Sequence, residues 1–324
     1  MLATFSRRAA VTGMLLLSTQ LLAAQAAFAQ DKVKVAAGQR GNWDTSVSEV
    51  GSRAGIFKKH GLELEILYTQ GSGETQQAVI SGAVDVGVAI GTLGAMSAFA
   101  KGAPIRIIGA ESTGAQDLFW YVRADSPIKS LTDTEGRTIS YSTAGSSTQG
   151  IVNAFISEKG LKAKPVATGS PPSSLTQVMS GQVDIGWAAP PFGIEMLDQK
   201  KIRLLASGND TSFKDQTVRV LATNVNTLKN RGDVITRYMQ AYRDTIEYMY
   251  KDPEAIKVYS DWLKITPELA RRSRDDFFPR AAIEPDRIIG LDKIGQDAVA
   301  FKYLPAPLTK EQIAELIQIP PAKK

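Results

Sequence analysis

Polar and aromatic side chains follow several predicted strands of this chain, where they could bind a small molecule. In the loop "GQRGNWD", Arg40 could pair with an anion and Trp43 could form a wall for an apolar or planar ligand. Ser146, Ser147 and Thr148 stand at a predicted helix start, where N–H groups, hydroxyls and the helix dipole favour an anionic or strongly polar group. One of these hydroxyls could instead serve only as an N-cap.

Other loops that follow predicted strands supply further candidates. Ser72 and Gly73 lie in "TQGSGET" just before a predicted helix, Gly91 and Thr92 end "AIGT", and "WAAPPFG" offers an apolar wall. The predicted ligand-binding residues are therefore Arg40, Trp43, Ser72, Gly73, Gly91, Thr92, Ser146, Ser147, Thr148, Trp187 and Pro190.

Catalytic chemistry finds little support in the sequence. The one histidine, His60, lies in "KKHGLE" at a predicted helix-to-strand turn. The chain has no cysteine, which removes thiolate nucleophiles, zinc–cysteine sites and iron–sulfur clusters. "AGSSTQG" lacks the G-x-S-x-G spacing of a nucleophile elbow, and no nucleotide-binding glycine motif occurs. We therefore expect no catalytic residue, no metal site and no cofactor.

The elements that must position the candidate residues alternate between strand and helix. Residues 32–112 predict β-α-β-α-β-α-β, and "AVDVGVAIG" is apolar enough for a parallel strand buried on both faces. The pattern restarts at "LFWYVR" and runs to "RVLATN", and an all-helical segment follows residue 225. Since open α/β sheets bind ligands beyond the carboxyl ends of their strands, two such halves predict a cleft between them.

Each half contains one copy of a repeated unit. "AVISGAVDVGVA" (78–89) and "QVMSGQVDIGWA" (177–188) both predict a helix, a Ser-Gly turn and a buried strand. Asp85 and Asp184 occupy the same position in the two copies. We interpret both as structural, with each carboxylate accepting backbone N–H groups of the preceding turn.

The start of the chain and its charge indicate an exported protein. Residues 1–29 combine a basic segment, an apolar run of about sixteen residues and the small-residue site "AFA", which predicts a signal peptide cleaved near Ala29 rather than a membrane anchor. "SRR" leaves Sec and twin-arginine export both open. The absence of cysteine excludes a lipid anchor. The net charge of +5 is weak and its basic runs are scattered, so we expect no nucleic-acid partner.

Three segments resemble a known family. "AGIFKKHGLELEI", "QAVISGAVDVGVA" and "SPIKSLTDTEGRTISYSTAGSST" are similar, in the same order, to segments of the nitrate/sulfonate/taurine-type solute-binding proteins of ABC importers, a group that includes the thiamine-pyrimidine-precursor binders. The resemblance covers most of residues 32–225.

This resemblance implies an α/β, type II periplasmic binding protein fold, with two lobes around a ligand cleft and a C-terminal helical segment. The expected first lobe is 30–116 plus 226–324, and the expected second lobe is 117–225. It also implies a monomer in the periplasm that binds a small molecule and delivers it to a membrane permease. Together with the candidate residues, it favours a small organic sulfonate or carboxylate as ligand.

Two alternatives remain open at the level of sequence. The protein could serve a sensor instead of a transporter, or it could be an enzyme on the same fold, similar to pyrimidine synthases or to a hydrolase. The pyrimidine synthases that this fold resembles rely on histidine and cysteine, and this chain has one histidine and no cysteine. The binding function is therefore favoured.

Overall fold

The computed structural model describes residues 30–322, so the predicted signal peptide lies outside the described residues. The described chain forms ten strands: β1 (Asp31–Gly38), β2 (Leu62–Thr69), β3 (Val86–Gly91), β4 (Ile105–Thr113), β5 (Phe119–Arg123), β6 (Thr138–Tyr141), β7 (Lys164–Ala167), β8 (Gly186–Ala188), β9 (Ile202–Ser207) and β10 (Thr217–Asn224).

The same range contains thirteen α-helices, which lie between the strands and after the last one. They are α1 (Val47–Arg53), α2 (Ile56–Lys59), α3 (Ser72–Ile80), α4 (Thr92–Ala100), α5 (Ser147–Lys159), α6 (Pro171–Met179), α7 (Ile194–Asp198), α8 (Val225–Asn230), α9 (Gly232–Lys251), α10 (Glu254–Leu263), α11 (Pro267–Phe277), α12 (Leu291–Ala300) and α13 (Lys310–Leu316).

The first sheet has the strand order β2-β1-β3-β10-β4. β1 pairs in parallel with β2 and β3, whereas β10 is antiparallel to β3 and β4. All six residues of β3 are buried, as its continuous apolar sequence predicts for a strand covered on both faces. Helices of the predicted tail cover this sheet, since α9 packs on α1 and α2.

The structure corrects the expected end of the second lobe. The sequence analysis extended that lobe to residue 225, but β10 lies in the first sheet between β3 and β4. The chain therefore crosses back before Thr217. We call residues 30–114 and 217–322 lobe I, and residues 115–216 lobe II.

Lobe II is built on two small sheets. β5 stands between β8 and β9, antiparallel to both, and β6 pairs in parallel with β7. A bridge between Ile139 and Ile185 connects the two sheets. Trp120 is fully buried between them, with its indole N–H donated to the carbonyl of Ser140 at 2.9 Å and its ring edge-on to Phe155.

The C-terminal segment of lobe I is helical, as predicted. A Thr-x-x-Gln capping box begins α13: the Gln312 backbone N–H is donated to Thr309 Oγ1, and the Thr309 N–H is donated to Gln312 Oε1. Among the helices of residues 30–322, none combines the length and the apolar character that a membrane span requires.

The repeated aspartates tie neighbouring strands together. Asp85 Oδ2 accepts the backbone N–H of Lys34 at 2.8 Å, and Asp184 Oδ2 accepts that of Thr138 at 2.9 Å. Lys34 belongs to β1 and Thr138 begins β6, so both bonds reach an adjacent strand rather than the preceding turn. Asp85 also pairs with Arg231. The contacts support a structural role but correct the partner.

We predict that Asp85→Ala lowers the free energy of unfolding by about 1–3 kcal/mol, because it leaves the Lys34 N–H without its acceptor and Arg231 without its carboxylate partner. Urea denaturation measures this loss. Asp125→Ala is the matched control, since Asp125 is an exposed aspartate paired only with Arg123, and it should change little. Equal effects of the two substitutions would contradict a structural role for the repeated aspartate.

Candidate ligand-binding site

A narrow cavity of about 20 Å³ lies between the lobes, which is room for about one water molecule, so an organic ligand requires the lobes to separate. The carboxyl ends of β1 and β3 border it on one side and the start of α5 on the other. Its lining residues are Gly38, Gln39, Asn42, Thr45, Ser72, Ala89, Leu118, Ser142, Ser146, Ser147, Thr148, Trp187 and Arg219. The predicted position between two α/β halves therefore agrees with the cavity.

The start of α5 supplies the lobe II side of the cavity. Ser146 is the N-cap, and its Oγ accepts the backbone N–H of Gln149 at 3.1 Å. Thr148 Oγ1 accepts the backbone N–H of Ser142 at 2.9 Å and so fixes the loop that follows β6. Ser146, Ser147 and Thr148 all line the cavity, so the positive end of the helix dipole faces it.

Ser72 and Trp187 line the cavity and carry unsatisfied polar atoms. Ser72 is the first residue of α3, and its Oγ is buried without a hydrogen-bond partner within the described chain. Trp187 lies on β8, and its indole N–H is likewise buried and unpaired. Because buried polar groups are nearly always paired in folded proteins, these two atoms are suited to bind a ligand.

Backbone strain is concentrated at the same place. Gln39 and Ala89 are not glycines, yet their φ angles are +88° and +64°, in the left-handed region that L-residues rarely adopt. Both residues line the cavity. Strained backbone of this kind is common at functional sites, where it orients groups toward a ligand.

Arg219 is the charged residue of the cavity, and the sequence analysis did not single it out. It lies in the middle of β10, whose eight residues are all buried. Its Nη2 lies 2.8 Å from both Asp44 Oδ2 and Asp117 Oδ2, but its Nε has no hydrogen-bond partner in the described chain. A single charged residue within a predicted buried strand is the signal that could have revealed it.

Three buried acids surround this arginine and change the electrostatics of the site. Burial raises the pKa of Asp117 to about 6, and it raises the pKa of Glu111 well above its usual value, with Asp44 adding to the effect. Burial alone would lower the pKa of Arg219, but Asp117, Asp44 and Glu111 together raise it. Arg219 therefore stays protonated, and Asp44 and Asp117, when both are ionised, more than cancel its single positive charge.

The structure places Arg40 and Trp43 outside the cavity. The Arg40 side chain is exposed, lies 4.7 Å from the ring centre of Trp262 and donates to the Trp262 carbonyl at 3.0 Å. Trp43 is fully buried in the lobe I core, edge-on to Tyr259 at 4.8 Å. The expectation that these two side chains line the cleft is corrected, because Arg40 contacts Trp262 and Trp43 packs in the core.

The remaining predicted residues lie around the cavity. The Gly73 N–H is donated to Thr143 Oγ1 of lobe II at 3.0 Å, and the hydroxyl of Thr92 is donated to the carbonyl of Thr217 at 2.8 Å. Gly91 lies against the start of α5, and Pro190 is buried two residues before the Phe192 ring that packs on lobe I. These four residues position the lobes rather than line the cavity.

Within the described range, no group of acidic or histidine side chains has the geometry of a metal site.

Residues 42–256 match the model of the NMT1/THI5 like family, which is well over half of the chain. The chain belongs to the NMT1/THI5-like family. No curated protein matches this family member at a significant level.

Solved structures similar to this NMT1/THI5-like protein share its fold at low identity. The alkanesulfonate-binding protein SsuA of Xanthomonas axonopodis, bound to MOPS, is 17% identical with a TM-score of 0.72, covering 90% of this chain and 98% of that one. The nitrate-binding protein NrtA of Synechocystis is 12% identical with a TM-score of 0.68, covering 90% and 85%. A desulfurization enzyme, DSZB, is 15% identical with a TM-score of 0.60, covering 87% and 96%. These likenesses confirm the predicted periplasmic binding protein fold.

We predict that Asp117 makes the protein less stable as the pH rises. Its folded pKa of about 6 exceeds the unfolded value of about 3.9, so the native state binds the proton more tightly. The stability that the protonated Asp117 carboxyl group contributes to the native state is fully present below the unfolded pKa, and it is lost as the pH rises through 6. From about pH 4 to about pH 7, wild type should lose on the order of 3 kcal/mol relative to Asp117→Asn.

Urea titrations of both proteins at the two pH values measure this difference, because groups that do not interact with Asp117 contribute equally to both. A pH-independent difference in stability between wild type and Asp117→Asn would contradict the raised pKa.

Proposed function

We propose that this protein captures a small organic anion, a sulfonate or carboxylate, between its two lobes and delivers it to an ABC permease. The observation that supports this proposal best is the cavity. Unpaired hydrogen-bond donors from both lobes line it, and so does the start of the long helix α5. Similar structures named for alkanesulfonate and nitrate binding support an anionic ligand. We further propose that the protein is exported by its signal peptide and acts as a periplasmic monomer.

Hydrogen-bond donors, rather than net positive charge, would hold the anion. The Trp187 indole N–H, the Arg219 Nε–H and the first turn of α5 all border the cavity. Since Asp44 and Asp117 together carry more negative charge than Arg219 carries positive charge, the site should favour a singly charged anion over a dianion. Ser72, Ser146, Ser147, Thr148 and Trp187 remain the proposed ligand contacts from the sequence analysis.

An enzymatic function is the second candidate, because one similar structure is a desulfurization enzyme. Enzymes of this fold need a nucleophile or a general base at the cleft. The single histidine, His60, instead pairs with Asp244 at 2.7 Å in lobe I and does not line the cavity. No side chain that lines the cavity is a carboxylate, histidine or lysine. Binding without turnover therefore fits the site better.

The proposed function predicts a thermal shift of the purified exported protein with one class of ligand. The panel contains sulfonates, aliphatic and aromatic carboxylates, nitrate, thiamine precursors, amino acids and sugars. A ligand at 100 times its dissociation constant should add about 2.7 kcal/mol of stability, which raises the melting temperature visibly. Hits confined to sulfonates or carboxylates are expected. Hits confined to sugars, or turnover of a hit, would contradict an anion-binding function.

Two variants test whether the hit occupies the cavity. Trp187→Phe keeps an aromatic ring but removes the unpaired indole N–H, and it should weaken binding about tenfold. Arg40→Ala, an equally drastic change just outside the cavity, should leave the affinity unchanged. The reverse pattern would place the ligand beside Arg40.

Close contact of the lobes depends on glycines at the cavity rim. A Cβ atom at Gly91 would lie 2.6 Å from the carbonyl oxygen of Gly145, and one at Gly94 would overlap the same oxygen. Gly91 and Gly94 belong to lobe I, whereas Gly145 belongs to lobe II. Any side chain at these positions would hold the lobes apart, so the two glycines permit closure around a ligand.

We predict that Gly94→Ala weakens ligand binding at least about tenfold, because its methyl group would overlap the Gly145 carbonyl and obstruct closure of the lobes. Titration calorimetry gives the affinity, and small-angle scattering gives the compaction on ligand addition. Gly232→Ala is the matched control, since a Cβ atom there meets nothing within 4 Å. Unchanged affinity in Gly94→Ala would contradict closure at this rim.

A further inference from the structure

Two amide side chains, those of Gln39 and Asn42, are hydrogen-bonded in series on the lobe I side of the cavity. Gln39 Nε2 is donated to the carbonyl of Gln70 at 3.5 Å, and Gln39 Oε1 accepts Asn42 Nδ2–H at 3.4 Å. Because a carbonyl can only accept, the first bond sets the orientation of the Gln39 amide, and the second sets that of Asn42. Asn42 Oδ1 is then left as a free acceptor.

Asn42 is held firmly in this position. Its backbone carbonyl accepts the hydroxyls of Thr45 at 3.1 Å and Ser46 at 2.5 Å. Asn42 is only 5% exposed and lines the cavity, and its Oδ1 has no hydrogen-bond partner within residues 30–322. A buried amide oxygen in a fixed position and without a donor is poised to accept one from a ligand.

Unpaired donors also line the same cavity. Within residues 30–322, the Trp187 Nε1–H and the Arg219 Nε–H are both buried without partners. Because both groups are donors, neither can bind the donor group of a ligand that Asn42 Oδ1 would accept. The cavity therefore presents two donors, one acceptor and the Ser72 hydroxyl, which can act as either. A simple alkyl anion would satisfy the donors and leave Asn42 Oδ1 unpaired.

We propose that Asn42 is a specificity-determining residue, and that the ligand carries an uncharged hydrogen-bond donor, an amide N–H or a hydroxyl, in addition to its anionic group. This inference rests on the proposed function. The donor is uncharged because no carboxylate lines the cavity to pair with an ammonium group. Hydroxy- or amido-substituted sulfonates and carboxylates are thus the substrate class.

Isosteric anions test the proposal. Isethionate, taurine and propane-1-sulfonate differ only in a terminal hydroxyl, ammonium or methyl group, and succinamate and levulinate differ only in an amide nitrogen or a methyl group. Isethionate and succinamate should bind the wild-type protein at least about tenfold more tightly than propane-1-sulfonate and levulinate. Taurine should not share this advantage.

Variants of Asn42 connect the preference to its side chain. Asn42→Leu should abolish the advantage of isethionate and succinamate while propane-1-sulfonate still binds. Asn42→Asp keeps the shape, provides a charged acceptor and should shift the preference toward taurine. If Asn42→Leu fails to fold, Asn42→Asp still tests whether the side chain at position 42 determines the preference.

The possible outcomes separate the two proposals. If all five anions bind the wild-type protein equally, or if Asn42→Leu keeps the preference, the role of Asn42 is overturned and anion binding stands. If taurine binds most tightly, the uncharged donor is overturned. If none of the five binds, the organic-anion function is overturned and the role of Asn42 with it.

Discussion

A buried ion pair between Arg219 and two aspartates is the interaction on which the cavity depends. Arg219 extends from β10, Asp44 follows β1, and Asp117 lies where the chain enters lobe II. One guanidinium thus connects three segments that converge on the cleft. Removing such a buried charge would leave its partners uncompensated, which costs several kcal/mol in typical proteins, about 3–5. Because the buried charge of Arg219 must stay paired, the ion pair holds in place the loops that carry Asn42 and Leu118.

The same ion pair determines how the cavity would recognise the proposed anion. Because Arg219 is already paired, it presents an unpaired Nε–H rather than an uncompensated charge. The helix dipole of α5 and the Trp187 N–H supplement this donor from lobe II. Recognition by oriented neutral dipoles favours a small monoanion and permits release, since no strong charge pair has to be broken when the lobes open.

Local sequence patterns predicted the strands and helices and some of the residues that line the cavity. Hydroxyls at the start of α5 follow from capping chemistry, and the buried character of β3 follows from its apolar run. Arg40 and Trp43 could not be assigned in this way, because their partners, Trp262 and Tyr259, are more than two hundred residues away in the sequence. Tertiary geometry, rather than local preference, selects Asn42 from the same loop.

The position of β10 is a second feature that local sequence does not reveal. "RVLATN" has the composition of any buried strand, and the periodicity does not state which sheet it joins. Its antiparallel insertion between β3 and β4 moved the boundary of lobe II and brought Arg219 to the cleft. Long-range pairing of this kind depends on contacts between residues more than a hundred positions apart.

Native mass spectrometry of the protein purified from the cell that exports it is the most direct test of the central claim. The account predicts one small organic anion bound to each folded chain, released on unfolding, with a mass and charge that identify a singly charged sulfonate or carboxylate. A bound cation or uncharged sugar in its place would contradict the account.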